Sequence, residues 1–348
     1  MNACFFKFRI VGVAAAAALA WSSVGAEGPY RFIKEIPIGG EGGWDYLCVD
    51  TGGNRLYVSH GAKVVVIDLD KDQVVGEIDD TPGVHGFAVA RSLERGFSSN
   101  GRENKVSVVN LETLKTLSKV ETGENPDAIL FEPGQRQVYT FNGRGHSATV
   151  IDAKSGKVVA TIPLSAKPEF AAADPKACRV YCNLEDKNSV AVLDAKEHKV
   201  VSTWPIAPGE EASGLAIDLD HHRLFAGCHN KMMVMMDSTS GKVVASVPIG
   251  DGVDANAFDP GTRLAFSSCG DGTVTIARED SPDKLTVIQT LTTERGARTM
   301  ALDPKTHKIY LSTAKFEAAP ATSEGGRQRP KMVPDTFKVL VYGMNSMK

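Results

Sequence analysis

The sequence is poor in the features that usually announce a function. Six cysteines occur in 348 residues and none forms a C-x-x-C pair, which excludes zinc ribbons and dithiol redox centres of the familiar spacing. No basic run follows residue 26, so the phosphate-neutralising surface on which nucleic-acid binding usually rests is missing. One apolar run covers residues 10–20 and falls well short of the ~20 residues that span a bilayer as a helix. No G-x-S-x-G, H-E-x-x-H, G-x-G-x-x-G or P-loop is present, so no standard nucleophile, zincin or nucleotide site is signalled. Helical periodicity is absent past residue 26, which leaves strands to build the fold.

What is there begins with a short leader. Lys7 and Arg9, the apolar run and the small residues Val24-Gly25-Ala26 read as a secretory signal over residues 1–26, cleaved ahead of Glu27. A retained membrane anchor is the alternative. Cys4 precedes the apolar run, unlike a lipoprotein cysteine, and no twin arginine is present. Export would place the mature chain, residues 27–348, in the periplasm or outside the cell, with no membrane span. That chain carries 37 basic against 42 acidic residues, a net charge of −5. Its five cysteines are an odd number, and Cys178 and Cys182 are too far apart along a strand to pair. Buried, unpaired thiols are expected.

The remainder is a series of near-copies. A polar residue, four mostly small or apolar residues and then usually Asp recur as Asp45-YLCV-Asp50, His85-GFAV-Ala90, Asp127-AILF-Glu132, Glu169-FAAA-Asp174, Ser213-GLAI-Asp218, Asp254-ANAF-Asp259 and Arg298-TMAL-Asp303. Successive anchors lie 40, 42, 42, 44, 41 and 44 residues apart, the period of four-stranded propeller blades. Each unit continues with a turn, a strand such as LYVS or VYTF, a polar loop, a strand such as VVVID or ATVID, and a last strand such as KVVATIPL. The seventh unit supplies only three strands. Residues 31–39, RFIKEIPIG, resemble the missing fourth. The expected fold is all-β: a seven-bladed β-propeller of four-stranded blades, closed by the N-terminal strand pairing into the last blade. Closure removes the edges that an open array would present, and a monomer is expected.

The units, with YVSHG at Tyr57, YTFNG at Tyr139 and VID before a turn and a Val/Ile strand, resemble the YVTN-repeat β-propeller family of YncE-like periplasmic proteins. The likeness extends over residues 30–343 and implies the propeller fold. It also implies, as one option, single-stranded nucleic-acid binding. That option wants basic residues beside aromatics, and only Arg327, Arg329 and Lys331 in the seventh loop supply them.

In a blade the innermost strand starts on the face that also holds the loop between strands two and three. The anchors Asp45, His85, Asp127, Glu169, Ser213, Asp254 and Arg298 should therefore ring one mouth of the central channel. His60, Asn100, Asn142, His146 and His229 should stand on the same face further out, with the long loop at 314–335, read as mobile. Trp44 and Phe170 sit beside the ring, placed to stack a ligand or simply to pack. His221-His222 reads as a solvated hairpin on the opposite face, and the methionines of MMVMM (232–236) as core. Four carboxylates in a narrow mouth attract a cation or basic group, so the expected partner is a small cationic ligand or a protein. The plainer reading is that anchors accept hydrogen bonds from loop N–H groups. A divalent metal, with His60 and His85 as nitrogen donors and Asn100 or Asn142 as oxygen donors, is chemically possible but not signalled by spacing. Two functions follow: a binding or interaction module using the mouth and the seventh loop, or a metal-dependent, lactonase-like hydrolase with Asp127, Glu169 or Asp254 as general base.

Overall fold

A computed structural model describes Met1 and residues 28–317 and 331–344. The leader over residues 1–26 and the middle of the seventh loop therefore lie outside the described residues. The rest forms seven four-stranded antiparallel sheets, and helix is confined, among the described residues, to two short 3-10 turns. No helix there is long and apolar enough to cross a membrane. The inner strands are Trp44–Asp50, Val84–Ala90, Pro126–Glu132, Pro168–Asp174, Ala212–Asp218, Val253–Asp259 and Met300–Asp303. In blades one to six they start one residue before the anchor read from the sequence, and in blade seven two residues after it. The recurrent acid at the far end of each caps the next turn: Asp50, Asp174, Asp218, Asp259 and Asp303 each accept a backbone N–H two or three residues on.

The ring closes as expected. In the seventh sheet Met300–Asp303 is innermost, then Lys308–Thr313, Lys338–Met344 and, outermost, the N-terminal strand Tyr30–Pro37. Tyr30 packs edge-on against Phe266 of blade six at 5.2 Å and donates its hydroxyl to the His307 carbonyl at 2.7 Å. The core lies between blades rather than within them. Leu56, Val58, Val65 and Ile67 of blade one, for instance, pack with Tyr310, Val339 and Val341 of blade seven. A single blade has no core of its own, which is why the units depend on their neighbours. The cysteines Cys48, Cys178, Cys182, Cys228 and Cys269 are unpaired, and the last three of these are buried.

The seventh loop needs a correction. Its two ends form a stem: Phe316 pairs with Met332, and backbone hydrogen bonds join Glu317 to Lys331 and Val333 to Lys315. Phe316 lies 5.9 Å from Trp44, and Met332 packs on the core between blades one and seven. The segment is packed structure at its base, because its two apolar residues find a surface to cover.

Candidate ligand site at the channel mouth

A shared irregularity of the inner strands aims the anchors. Register shifts near the start of the inner strand in blades one to six, for example between Trp44 and Leu47 or Pro126 and Ile129. The anchor sits in that bulge, which turns its side chain out of the ladder and frees backbone groups. Small polar side chains on second strands satisfy them. Ser59 accepts from Asp45 N–H and donates to the Tyr46 carbonyl. Across blades, Ser99 donates to the Asp127 carbonyl, Asn183 to that of Ser213 and Ser268 to that of Arg298, while Thr299, at the start of blade seven, donates to that of Asp45. Gly214 is required here: a Cβ would meet the Asn256 backbone nitrogen at 2.5 Å.

The anchors gather at one mouth, in three groups in each of which a cation stands beside one carboxylate or two. His85 Nδ1 lies 2.7 Å from Asp45 Oδ2 and 3.5 Å from Asp127 Oδ1. Arg298 Nε lies 2.7 Å from Asp254 Oδ2, whose other oxygen accepts from the Ser213 hydroxyl at 3.1 Å. Glu169 pairs with Lys167, which also holds Glu185 at 2.5 Å. His229 stands at the rim, 3.8 Å from Glu185.

Burial penalises charge here. It raises the pKa of Asp45 and of Asp254 despite their cationic neighbours. Burial lifts Asp127 to about 6, and burial with Asp127 alongside lifts Glu169 to about 8. Burial alone would lower His85, but its hydrogen bond to Asp45 and the charges of Asp127 and Glu169 outweigh that and raise it to about 9. Lys167 and Arg298 are likewise held cationic by their carboxylates against the cost of burial.

Beneath the anchors the channel has a floor. Tyr46 of blade one and Phe170 of blade four, each the residue after its anchor, meet edge-to-face with centroids 5.0 Å apart. Burial and then the charges of Asp127, Asp45, Asp254 and Glu169 hold the Tyr46 hydroxyl protonated. On the far side lies a cavity of about 290 Å³, lined by Leu47, Cys48, Phe87, Ala88, Ile129 and Phe131 among others. The mouth is thus a polar bowl with an aromatic base.

Several residues expected on this face further out, and offered there as ligand donors, are turned away from the bowl. His60 is buried, stacked on Phe337 at 4.1 Å, and burial lowers it to about 4. It pairs with Trp44 across the ladder instead of facing the axis. Asn100 is spent on Ser98, Glu103 and Ser107, and Asn142 on Ser147 and Thr149. As last residues of second strands, all three point into the blades, where the amides bond neighbouring side chains and the His60 ring stacks on Phe337. Trp44 packs on Phe316 and Phe337. Conversely Lys167, Glu185 and Tyr46 were missed. Lys167 precedes its anchor by two residues and Glu185 belongs to a 3-10 turn that, among the described residues, no other blade has in that loop, so neither repeats.

Comparisons with known proteins bear on the fold. No family model matches the chain, and no curated protein is similar to it in sequence. Among solved structures it is similar to "Kuenenia stuttgartiensis Hydrazine Synthase", with a TM-score of 0.67 at 18% identity, over 85% of this chain and 96% of that one. It is also similar to "Structure of U3-55K", with a TM-score of 0.72 at 10% identity, over 90% of this chain and 98% of that one. These define the class, a β-propeller, and at such identities they show the fold alone.

Proposed function

We infer that this propeller is a binding module whose bowl takes a small organic cation, an ammonium or guanidinium group. One observation carries the reading: half-buried carboxylates from four blades converge over two aromatic rings, and the Asp127–Glu169 sector is short of positive charge. Glu169 and Glu185 share Lys167, and Asp127 has His85 only at 3.5 Å, since that ring is closer to Asp45. An alkylammonium would neutralise that sector, and its carbons would rest on the faces of Tyr46 and Phe170. The rigid ring positions the groups, and the stem of the seventh loop beside Trp44 offers a second contact for a protein partner. The likeness to the YVTN-repeat family and the export leader fit a periplasmic or secreted binding protein, which is part of this proposal.

The test is thermal melting of the mature chain with a panel of small amines, guanidines and quaternary ammonium ions, against carboxylates of matched size. A cation that binds the native state at a hundred times its Kd adds about 2.7 kcal/mol of stability. The expected result is an upward shift with cations that is absent in the Asp127→Asn, Glu169→Gln double variant. Equal shifts in both proteins, or none with any cation, would sink the reading.

A second reading has one observation behind it. Asp45, His85 and Asp127 offer three donor atoms within 4.8 Å of one another, compatible with a divalent ion and a hydrolase using Glu169 or Asp254 as base. The ion would first have to displace the proton that the two carboxylates hold on His85. Saturable binding of a divalent ion that disappears in His85→Gln, together with hydrolysis of a lactone, would favour this reading over the first.

A further inference from the structure

On the face opposite the mouth, three donors meet between blades five and six. Asp218 ends the inner strand of blade five, His221 lies in the turn that follows, and Glu279 comes from the third strand of blade six. His221 Nδ1 is 2.7 Å from Asp218 Oδ2 and 3.2 Å from Glu279 Oε2, and the three donor atoms all lie within 4.8 Å. His221 is therefore not the solvated hairpin residue the sequence suggests.

Glu279 is the anomaly. In blades one to five the residue after the third strand's last position makes the same backbone hydrogen bond. Leu69, Leu111, Ala153, Ala195 and Ser238 donate to the carbonyls of Asn54, Glu94, Arg136, Cys178 and His222, and Glu279 donates to that of Arg263. All six are buried, but only blade six puts a carboxylate there. Glu279 is 0% exposed, and its Oε1 has no hydrogen-bond partner. The fold does not demand a charge at this place. Between blades four and five the equivalent residues Asp174, Ala177 and Ser238 line an open depression of about 450 Å³. Blade six also departs locally: its third and fourth strands, Thr273–Ser281 and Lys284–Thr292, are longer than their counterparts, because Arg278 stands where Asp68, Asp152, Asp194 and Asp237 cap the turn.

The charge balance asks for another cation. Two buried carboxylates face one imidazole, and a buried carboxylate oxygen without a donor costs free energy. Asp218 Oδ1 accepts from Asp220 N–H at 2.9 Å, and its Oδ2 is the oxygen turned to His221 Nδ1 at 2.7 Å. The nearby Arg223 is engaged by the Pro282 carbonyl, Asp237 and Asp283. Ligands ~2.0–2.2 Å from a tetrahedral zinc-class ion stand ~3.3–3.6 Å apart, so the pairs here, at 2.7 and 3.2 Å, need open only slightly to admit one. One imidazole with two carboxylates suits a first-row transition metal rather than calcium or magnesium, which prefer all-oxygen sets. His221 is partly exposed, so water has access to complete the coordination. We propose that Asp218, His221 and Glu279 form a divalent transition-metal site that clasps blades five and six. Its ion would join an inner-strand end to a third strand across the gap between the two blades, beside the hydrogen bonds that Arg223 of blade five already makes to Pro282 and Asp283 of blade six.

The test is titration of the chelator-treated full chain with Zn²⁺, and with Co²⁺ read by its visible absorption. We expect one ion bound at this site, at least ~100-fold more weakly by Glu279→Gln and by the half-exposed variant His221→Asn. Asp127→Asn, which alters only the mouth, should leave this binding unchanged. No saturable binding by the parent overturns the proposal. So does binding that keeps the parent's affinity in Glu279→Gln and His221→Asn but is lost in Asp127→Asn, because it places the ion at the mouth.

Discussion

Two imidazoles in this molecule each lie beside two carboxylates, at opposite ends of the ring, and they arose differently. At the mouth, Asp45, His85 and Asp127 occupy the same repeat position in three successive blades. Their convergence follows from the repeat: once the seven anchors are aligned, the ring brings them together. At the other face, Glu279 occupies a position that the first five blades fill with Leu, Ala or Ser. Its carboxylate is a departure from the repeat and is invisible until the blades are superposed by their hydrogen bonds. In a repeat protein the shared positions describe the scaffold and its symmetric mouth, and the exceptions mark what one blade does alone.

Both arrangements depend on the closed ring, so the largest expected effect comes from opening it. Removing Tyr30–Pro37 exposes the edge of Lys338–Met344 and uncovers the surface against which Tyr30 and Ile36 are buried. Burial of those two side chains alone is worth about 3–6 kcal/mol, and the unpaired edge invites association. A chain beginning at Gly40 should be recovered mainly as aggregate, as size-exclusion chromatography would show. A monomer with the parent's melting temperature would contradict the closure.

The fold was legible in the sequence because blade strands repeat in type and spacing, and the closing strand betrays itself by its likeness to KVVATIPL. Much of the mouth was legible for the same reason: Asp45, His85, Asp127, Glu169, Asp254 and Arg298 are all where the repeat puts them. His60, Asn100 and Asn142 were misplaced because a loop position does not reveal which way its last strand residue points. The bulge in each inner strand turns anchors to the axis, whereas the second strand stays in register and keeps its last residue inside. Lys167 and Glu185 lie off the repeat, so no periodic signal could find them.

The second effect sharpens the contrast by way of pH. Asp127 at about 6, Glu169 at about 8 and His85 at about 9 are all raised above their usual values of 3.8, 4.5 and 6.5. The folded mouth therefore holds more protons than the unfolded chain, and stability falls as pH rises through those values. Melting temperature should decline between about pH 5 and pH 9, and the Asp127→Asn, Glu169→Gln double variant should flatten the decline. Cation binding, which favours the deprotonated carboxylates, should strengthen over the same range. An identical slope in parent and double variant would remove the mouth as its source.

The smallest effect is expected where the charge is most deeply buried. Taking one partner from a buried ion pair usually costs about 3–5 kcal/mol, since the other is left uncompensated. Glu279 is the reverse case: Asp218 and His221 already balance one negative against one positive charge, and burial with Asp218 alongside raises the surplus Glu279 carboxyl to about 7. Changing it to Ser, the residue blade five carries at the equivalent Ser238, leaves a balanced pair and a side chain the backbone there accommodates. The deleted methylene and carboxyl leave space beside partly exposed His221, which water can fill. In metal-free buffer Glu279→Ser should therefore shift stability by less than ~1 kcal/mol, measured by urea unfolding with chelator present. A loss of several kcal/mol there would mean that Glu279 is a structural partner of His221 in its own right, and the distinction between the repeated mouth and the exceptional blade would dissolve.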